Sequence, residues 1–484
     1  MSTSHTNWLS NCALFSALLV GTVSHGDEFA TSSFEEIPPP HSTARTEAVI
    51  AMPKLVGSAS CTAASCHGGS DRARVSIGDP WSPVAYSMWI ASDPHAHSYS
   101  TLLTDESARM VAKLGLGAAH EQQACLACHA PEGLHSEFTV SHRSTPFDGV
   151  GCEACHGPAE RWLDPHKNAG WAGQSAAHKE SLGFRDLDDL GIRSHACADC
   201  HVGSPGRDVN HDLIAAGHPR LMFEMSALHA RLPKHWRDER DSIQTLDAKL
   251  WSVGQAVSAT KSLAQLEARA ANPHAAWPEF SEYDCYACHH NLAEPSWRQE
   301  NSALRTGSKP GSLRWGEWNY ALLPLVRGET DGDGLLAELR QEMSQTLPNR
   351  DRARSLAQSA RWSVAADVSS LAAMPLDLYQ IEETLRRISQ PELVVNPSWD
   401  FAAQRFLGLA AMHYSSVASS GQWRSQPGTA ASNRRLSLVE LRRLLQFAAP
   451  GEQSRYNSPQ QWDAVRRQQV REQFDVIHAG VDHP

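Results

Sequence analysis

Ten of the eleven cysteines fall into five short signatures, each closed by a histidine: Cys61-Thr-Ala-Ala-Ser-Cys66-His67, Cys125-Leu-Ala-Cys128-His129, Cys152-Glu-Ala-Cys155-His156, Cys197-Ala-Asp-Cys200-His201 and Cys285-Tyr-Ala-Cys288-His289. Two cysteines three apart, followed at once by histidine, are the attachment pattern of a c-type haem. The thiols fix one edge of the porphyrin and the histidine meets the iron. This constrains the fold more than any hydropathy signal, because five covalently attached haems occupy volume that apolar side chains ordinarily fill. The first signature holds four residues between its cysteines but keeps the Cys66-His67-Gly68-Gly69 end. Structural zinc needs four ligands per metal and leaves an odd pair among ten cysteines. Neither zinc, a thioredoxin-like motif nor a disulfide framework calls for a histidine after the second cysteine.

Export is expected from the N-terminus. Residues 1–26 contain no Asp, Glu, Lys or Arg and include an apolar run from Ala13 to Val23, ending in Ser24-His25-Gly26. This is the outline of a secretory signal peptide without its usual positive start. The run is shorter than the roughly 20 residues that span a bilayer. No later stretch is apolar enough to do so, so the mature chain reads as soluble and periplasmic. The net charge of −11 argues against nucleic acid and for redox partner proteins that dock through basic or small polar surfaces. Donor, acceptor and oligomeric state are left open.

Histidine distribution divides the chain. Of 25 histidines, 19 lie between His67 and His290, which leaves 14 besides the five motif histidines. Residues 27–55 read as a flexible linker, 56–295 as a loop-rich pentahaem domain, 296–330 as a second linker and 331–484 as a helical domain without haem. The fold class is therefore mainly α. One long helix is marked by Ile243, Leu246, Leu250, Val253, Val257, Leu263 and Leu266 and stopped by Asn272-Pro273. Ser437-Leu-Val-Glu440 reads as a capping box ahead of Leu441, and Ser458-Pro459 as a further helix start. Trp399, Ala403, Phe406, Leu407 and Ala410 follow one face of another helix.

Each iron held by a motif histidine keeps one axial position, and its occupant decides between electron transfer and catalysis. The candidates are His95 in Asp93-Pro94-His95-Ala96-His97, His166 in Trp162-Leu163-Asp164-Pro165-His166, His211 and His218 seven apart around Gly217, and His235 beside Trp236. His97, His120, His135 and His142 remain as further candidates. Arg220 is placed to pair with a propionate. The spacing of Met222 and Met225 fits core packing better than ligation.

Asp93-Pro94-His95-Ala96, Cys125-Leu-Ala-Cys128-His129 and Gly149-Val-Gly-Cys152-Glu-Ala-Cys155-His156-Gly-Pro158 together resemble the cytochrome c-554 type of multihaem cytochromes, related to the hydroxylamine-oxidoreductase haem core. The resemblance spans roughly residues 58–295. It implies periplasmic electron relay through stacked haems, and it matches His95 and His166 to histidines that often serve distally. Five motifs instead of four, the longer first loop and the added helical region depart from that pattern. The short interval between His129 and Cys152 suggests that the second and third haems are neighbours.

Three functions follow. The leading one is a pentahaem electron carrier with mostly bis-histidine irons. The alternative is a multihaem oxidoreductase acting on a small nitrogen or sulfur compound at one five-coordinate haem. In a third, the C-terminal helices are a docking module whose removal leaves the haem spectrum intact.

Overall fold

The computed structural model describes residues 53–70, 82–131, 148–236, 238, 244–285, 288–289, 313–328, 334–391, 398–421, 428–446 and 462–481. Short helices carry the motifs and long helices carry the core. The long ones are α1 (Leu190–His201), α3 (Leu246–Ala271), α4 (Arg350–Ala373), α5 (Leu378–Ser389), α6 (Trp399–Ser420), α7 (Ala430–Leu444) and α8 (Ala464–Ala479), with the shorter α2 (Met225–Arg231) between the first two. Among the described residues β pairing is limited to isolated bridges such as Ser204 with Arg207 and Tyr283 with Trp315.

The expected long helix is present as α3 from Leu246, with Ile243 outside the described residues, and Asn272 caps its end as read from Asn272-Pro273. Its 26 residues make an axis of about 39 Å. The apolar periodicity points to one buried face, but α3 is covered on nearly every side. Its small polar residues make this possible because they bond locally or to neighbours. Ser252 and Thr260 return their hydroxyls to Ala248 and Ala256 carbonyls, Gln255 donates to Gln404 of α6, and Tyr320 donates to Ser262 at 2.7 Å. Gly254 lets α2 approach, since a Cβ there would meet Met225 Cβ at 2.5 Å.

Two apolar clusters lie on either side of α3. Leu250, Val253, Val257, Leu263 and Leu266 pack with Leu339, Met343, Ala357 and Val364 of the C-terminal stretch. Ala248 and Trp251 pack with Leu385, Phe406, Leu441 and Phe474. Each fully buried Leu or Val contributes about 1.5–3 kcal/mol relative to exposure. The haem-motif stretch and the C-terminal helices therefore share a core, and residues 52–484 form one compact unit. Within the stretch read as a second linker, residues 313–328 include the buried Trp315, Trp318, Tyr320, Leu322 and Leu323.

Two capping expectations change. Ser437 and Glu440 lie inside α7, which starts at Thr429, whose hydroxyl accepts the Ser432 N–H. A Ser-x-x-Glu spacing also arises in mid-helix, and here the buried Ser437 makes no helix start. A reciprocal box instead opens α5, where Asp377 accepts the Gln380 N–H at 2.8 Å and Gln380 accepts the Asp377 N–H at 2.9 Å. Ser458 and Pro459, the leader and nearly all of the first linker lie outside the described residues.

Candidate haem-binding site

The three central motifs each end a helix: Gln123–His129, Cys152–His156 and α1. Helical spacing puts cysteines three apart on one face with histidine beside them. The first motif begins where a short 3-10 turn, Ser58–Cys61, ends, and its longer loop folds back so that Cys66 and Gly68 N–H groups both donate to the Ala63 carbonyl. A Cβ on Gly68 would collide with the Thr62 carbonyl, so this loop requires glycine after His67.

None of the ten motif cysteines is in a disulfide. Sulfurs from different motifs meet: Cys61 lies within hydrogen-bond reach of Cys152, and Cys128 of Cys200. The first motif thus adjoins the third and the second adjoins the fourth, an order that the short interval between His129 and Cys152 does not reveal. Two arginines brace equivalent points. Arg207 donates to the carbonyl of Ala127 at 2.8 Å and Arg185 to that of Ala154 at 2.9 Å, each the residue before a second motif cysteine. The buried Glu153 carboxylate accepts N–H groups of Val56, Gly57 and Ala159, tying the start of the described chain to the third motif.

Every motif histidine faces one histidine from outside the motifs. Ring centres are separated by 6.3 Å for His67 and His166, 6.1 Å for His95 and His201, 6.4 Å for His129 and His218, 6.3 Å for His156 and His235, and 6.4 Å for His211 and His289. Two metal–nitrogen bonds of roughly 2 Å, with each ring centre roughly 1.1 Å behind its nitrogen, give about 6.2 Å for imidazoles on opposite sides of one ion. The distances fit an iron between each pair.

The second ring nitrogens are largely accounted for. Nδ1 faces a backbone carbonyl in His67 (Ser82, 2.8 Å), His129 (Ser98, 3.1 Å), His166 (Leu163, 2.5 Å) and His218 (Pro219, 2.8 Å). A carbonyl only accepts, so Nδ1 carries the proton and Nε2 is left for metal. His95 Nδ1 instead meets the Asp93 carboxylate at 2.9 Å. Burial works against the Asp93 charge, yet its bonds to His95 hold the carboxyl below its ordinary range. His235 Nδ1 is buried without a hydrogen-bond partner. Burial pushes His156 and His201 down to about 4 and also lowers His129, His166, His218 and His235, which keeps these imidazoles neutral near pH 7.

A connected cavity of about 2430 Å³ runs past four of the pairs and is lined by the cysteines of the first four motifs and by Cys285. Its walls suit porphyrins: apolar Trp89, Trp162, Leu102 and Phe184, with the cationic side chains of Lys179, Arg185, Arg193 and Arg207 among the lining. His211 and His289 do not line it, and His289 and Cys288 are exposed. Trp399, from a region read as free of haem, is part of the wall. Arg220 pairs with Asp400.

Of the remaining candidates, His97 and His120 are described and are not brought into such pairs, His97 being exposed and His120 half-buried beside Glu121, while His135 and His142 lie outside the described residues. Met225 is in one apolar cluster and Met222 packs against the other. Sequence reasoning passed over the acceptors that orient the rings, Ser82, Asp93 and Ser98, which have no motif of their own. It also passed over His229, which is buried with its Nε2 3.1 Å from Arg193.

Residues 60–157 match the family described as cytochrome c554 and c-prime. A 119-residue stretch is 29% identical to cytochrome c-554 of Nitrosomonas europaea, covering 23% of this chain and 50% of that relative. The chain thus spans half the length of the curated relative it matches. No solved structure matches it.

Proposed function

We propose, from the similarity of residues 60–157 to the cytochrome c554 and c-prime family and of a 119-residue stretch to a cytochrome c-554, that this chain is a c554-like multihaem cytochrome, an exported electron-transfer protein with five covalently attached haems, each held between two histidines. The observation that carries this is the set of five histidine pairs at 6.1–6.4 Å, every one joining a motif histidine to His166, His95, His218, His235 or His211. Bound haem supplies reversible one-electron iron chemistry. The chain's part is to hold both axial nitrogens, fix their tautomers through carbonyls and Asp93, and keep water away from most of the sites.

Filling both axial positions at every site favours relay over small-molecule catalysis, which needs an open position. The contacts of Cys61 with Cys152 and of Cys128 with Cys200 support two close couples, first motif with third and second with fourth. The fifth site lies to one side, with Cys285 on the cavity wall and His289 exposed, a placement suited to exchange with a partner. The apolar leader and haem attachment after export agree on the periplasm. Among the described residues no helix is long and apolar enough to cross a membrane.

The test is the haem-to-chain ratio together with a spin-state count by electron paramagnetic resonance. Five haems, all low-spin and indifferent to nitrite or hydroxylamine, are expected. A high-spin signal that shifts when either is added would replace relay by catalysis.

A further inference from the structure

Two charge pairs join the haem-rich stretch to the C-terminal helices among the described residues, Glu267 with Arg361 and Arg220 with Asp400, and the second lies on the cavity wall. Arg220 lies two residues after His218, and both its terminal nitrogens engage Asp400: Nη1 donates to Oδ1 at 2.9 Å and Nη2 to Oδ2 at 2.7 Å. The Asp400 side chain is 2% exposed. It sits in the first turn of α6, next to Trp399. Arg220, Trp399, His218 and Cys285 line the same cavity. Other charges within electrostatic reach include Asp284, one residue before Cys285, and Arg314, which is bonded to Glu317 at 2.8 Å.

A two-pronged guanidinium–carboxylate contact fixes both partners in plane. In a poorly hydrated place it also makes each charge depend on the other, because removing one leaves the second uncompensated. An iron that accepts an electron loses one unit of positive charge. A nearby uncompensated cation therefore favours the reduced form and an anion the oxidised form. Arg220 is two residues along the chain from His218, the partner of His129, and lies within electrostatic reach of Cys285 of the fifth motif, so the pair stands between these two sites.

We infer that Asp400 is a positioning residue that holds Arg220 in place and cancels its charge, and so sets the potential of the His129–His218 site against that of the His211–His289 site. Through it the C-terminal helices act on electron flow without carrying a haem. The inference rests on the five-site reading above.

Potentiometric titration of the full-length holoprotein, resolved by low-spin signals, tests it with Asp400→Asn, Arg220→Gln, the double variant and Asp400→Glu. Asp400→Asn should move one or two of five midpoints positive and leave the others in place. Arg220→Gln should move the same midpoints negative, and the double variant and Asp400→Glu should return them to the wild-type values. Midpoints that do not move, that move in the same direction in both single variants, or that all move together would overturn the inference. If Asp400→Asn fails to load haem, Arg220→Gln decides alone, because it must shift the same sites negative. A wild-type protein with fewer than five haems, or with high-spin iron, would sink the five-site reading instead. Five low-spin haems with indifferent midpoints would sink only the role of the ion pair.

Discussion

Removing one distal histidine should change one iron and leave a signature set by ring geometry. Near-parallel imidazole planes split the two iron orbitals that overlap with them and give a rhombic low-spin spectrum. Near-perpendicular planes leave those orbitals almost degenerate and give a signal with one very large g value. The planes of His67 and His166 are 13° apart, and those of His129 and His218 are 90° apart. His166→Ala should therefore delete a rhombic component and His218→Ala a large-g component. In either case about one fifth of the haem becomes high-spin, since one axial ligand in five sites is lost. Electron paramagnetic resonance of the oxidised proteins, with haem content measured on the same samples, reads both effects. Loss of the same component in both variants, or a low-spin spectrum unchanged by either, would refute the assigned pairs. The angles of 83° for His95 with His201, 63° for His156 with His235 and 30° for His211 with His289 extend the series.

Other consequences are measurable. Asp93→Asn takes a negative charge from His95 Nδ1, so the His95–His201 midpoint should rise by tens of millivolts, at roughly 60 mV per tenfold change in preference; an unchanged titration would sink the role of Asp93. Glu224 caps α2 by accepting the Ser226 and Ala227 N–H groups, and burial pushes it up to about 7 from 4.5. The folded chain then keeps a proton that the unfolded chain releases, so stability contributed below pH 4.5 is lost as pH rises to about 7, by about 3 kcal/mol. Glu224→Gln should flatten that loss in denaturant titrations, and equal slopes would count against it. Leu263→Ala, at a position with no exposure in the shared core, should cost about 3–5 kcal/mol by thermal or denaturant melting. Truncation of residues 331–484 uncovers α3 and should lower haem retention and melting temperature, whereas a detachable docking module would leave both intact.

The legible part of this protein was the part written as local chemistry. Cysteine spacing marked five motifs as candidate attachment points, and a surplus of histidines pointed to His95, His166, His211, His218 and His235, which the fold sets opposite the motif histidines. Which histidine faces which was not legible, because His95 meets His201 and His156 meets His235 through tertiary packing rather than by order in the chain. The long helix was legible from its apolar period. Its full burial was not, since Ser258 and Gln265 become core residues only when Asn319 and the Arg207 carbonyl arrive to bond them. Arg220 looked like a propionate partner because Asp400 stands 180 residues away.

Sulfur atoms of separate motifs lying against each other also bear on how such a chain matures. A chain that folded before its cofactors were attached would present Cys61 to Cys152 and Cys128 to Cys200. In an oxidising compartment those thiols would join each other, and a crosslink at either contact would disable two attachment points at once. On the five-haem reading proposed above, thioether formation at these cysteines would have to run ahead of tertiary closure, and the close packing of the motifs would set the order in which the protein can be made.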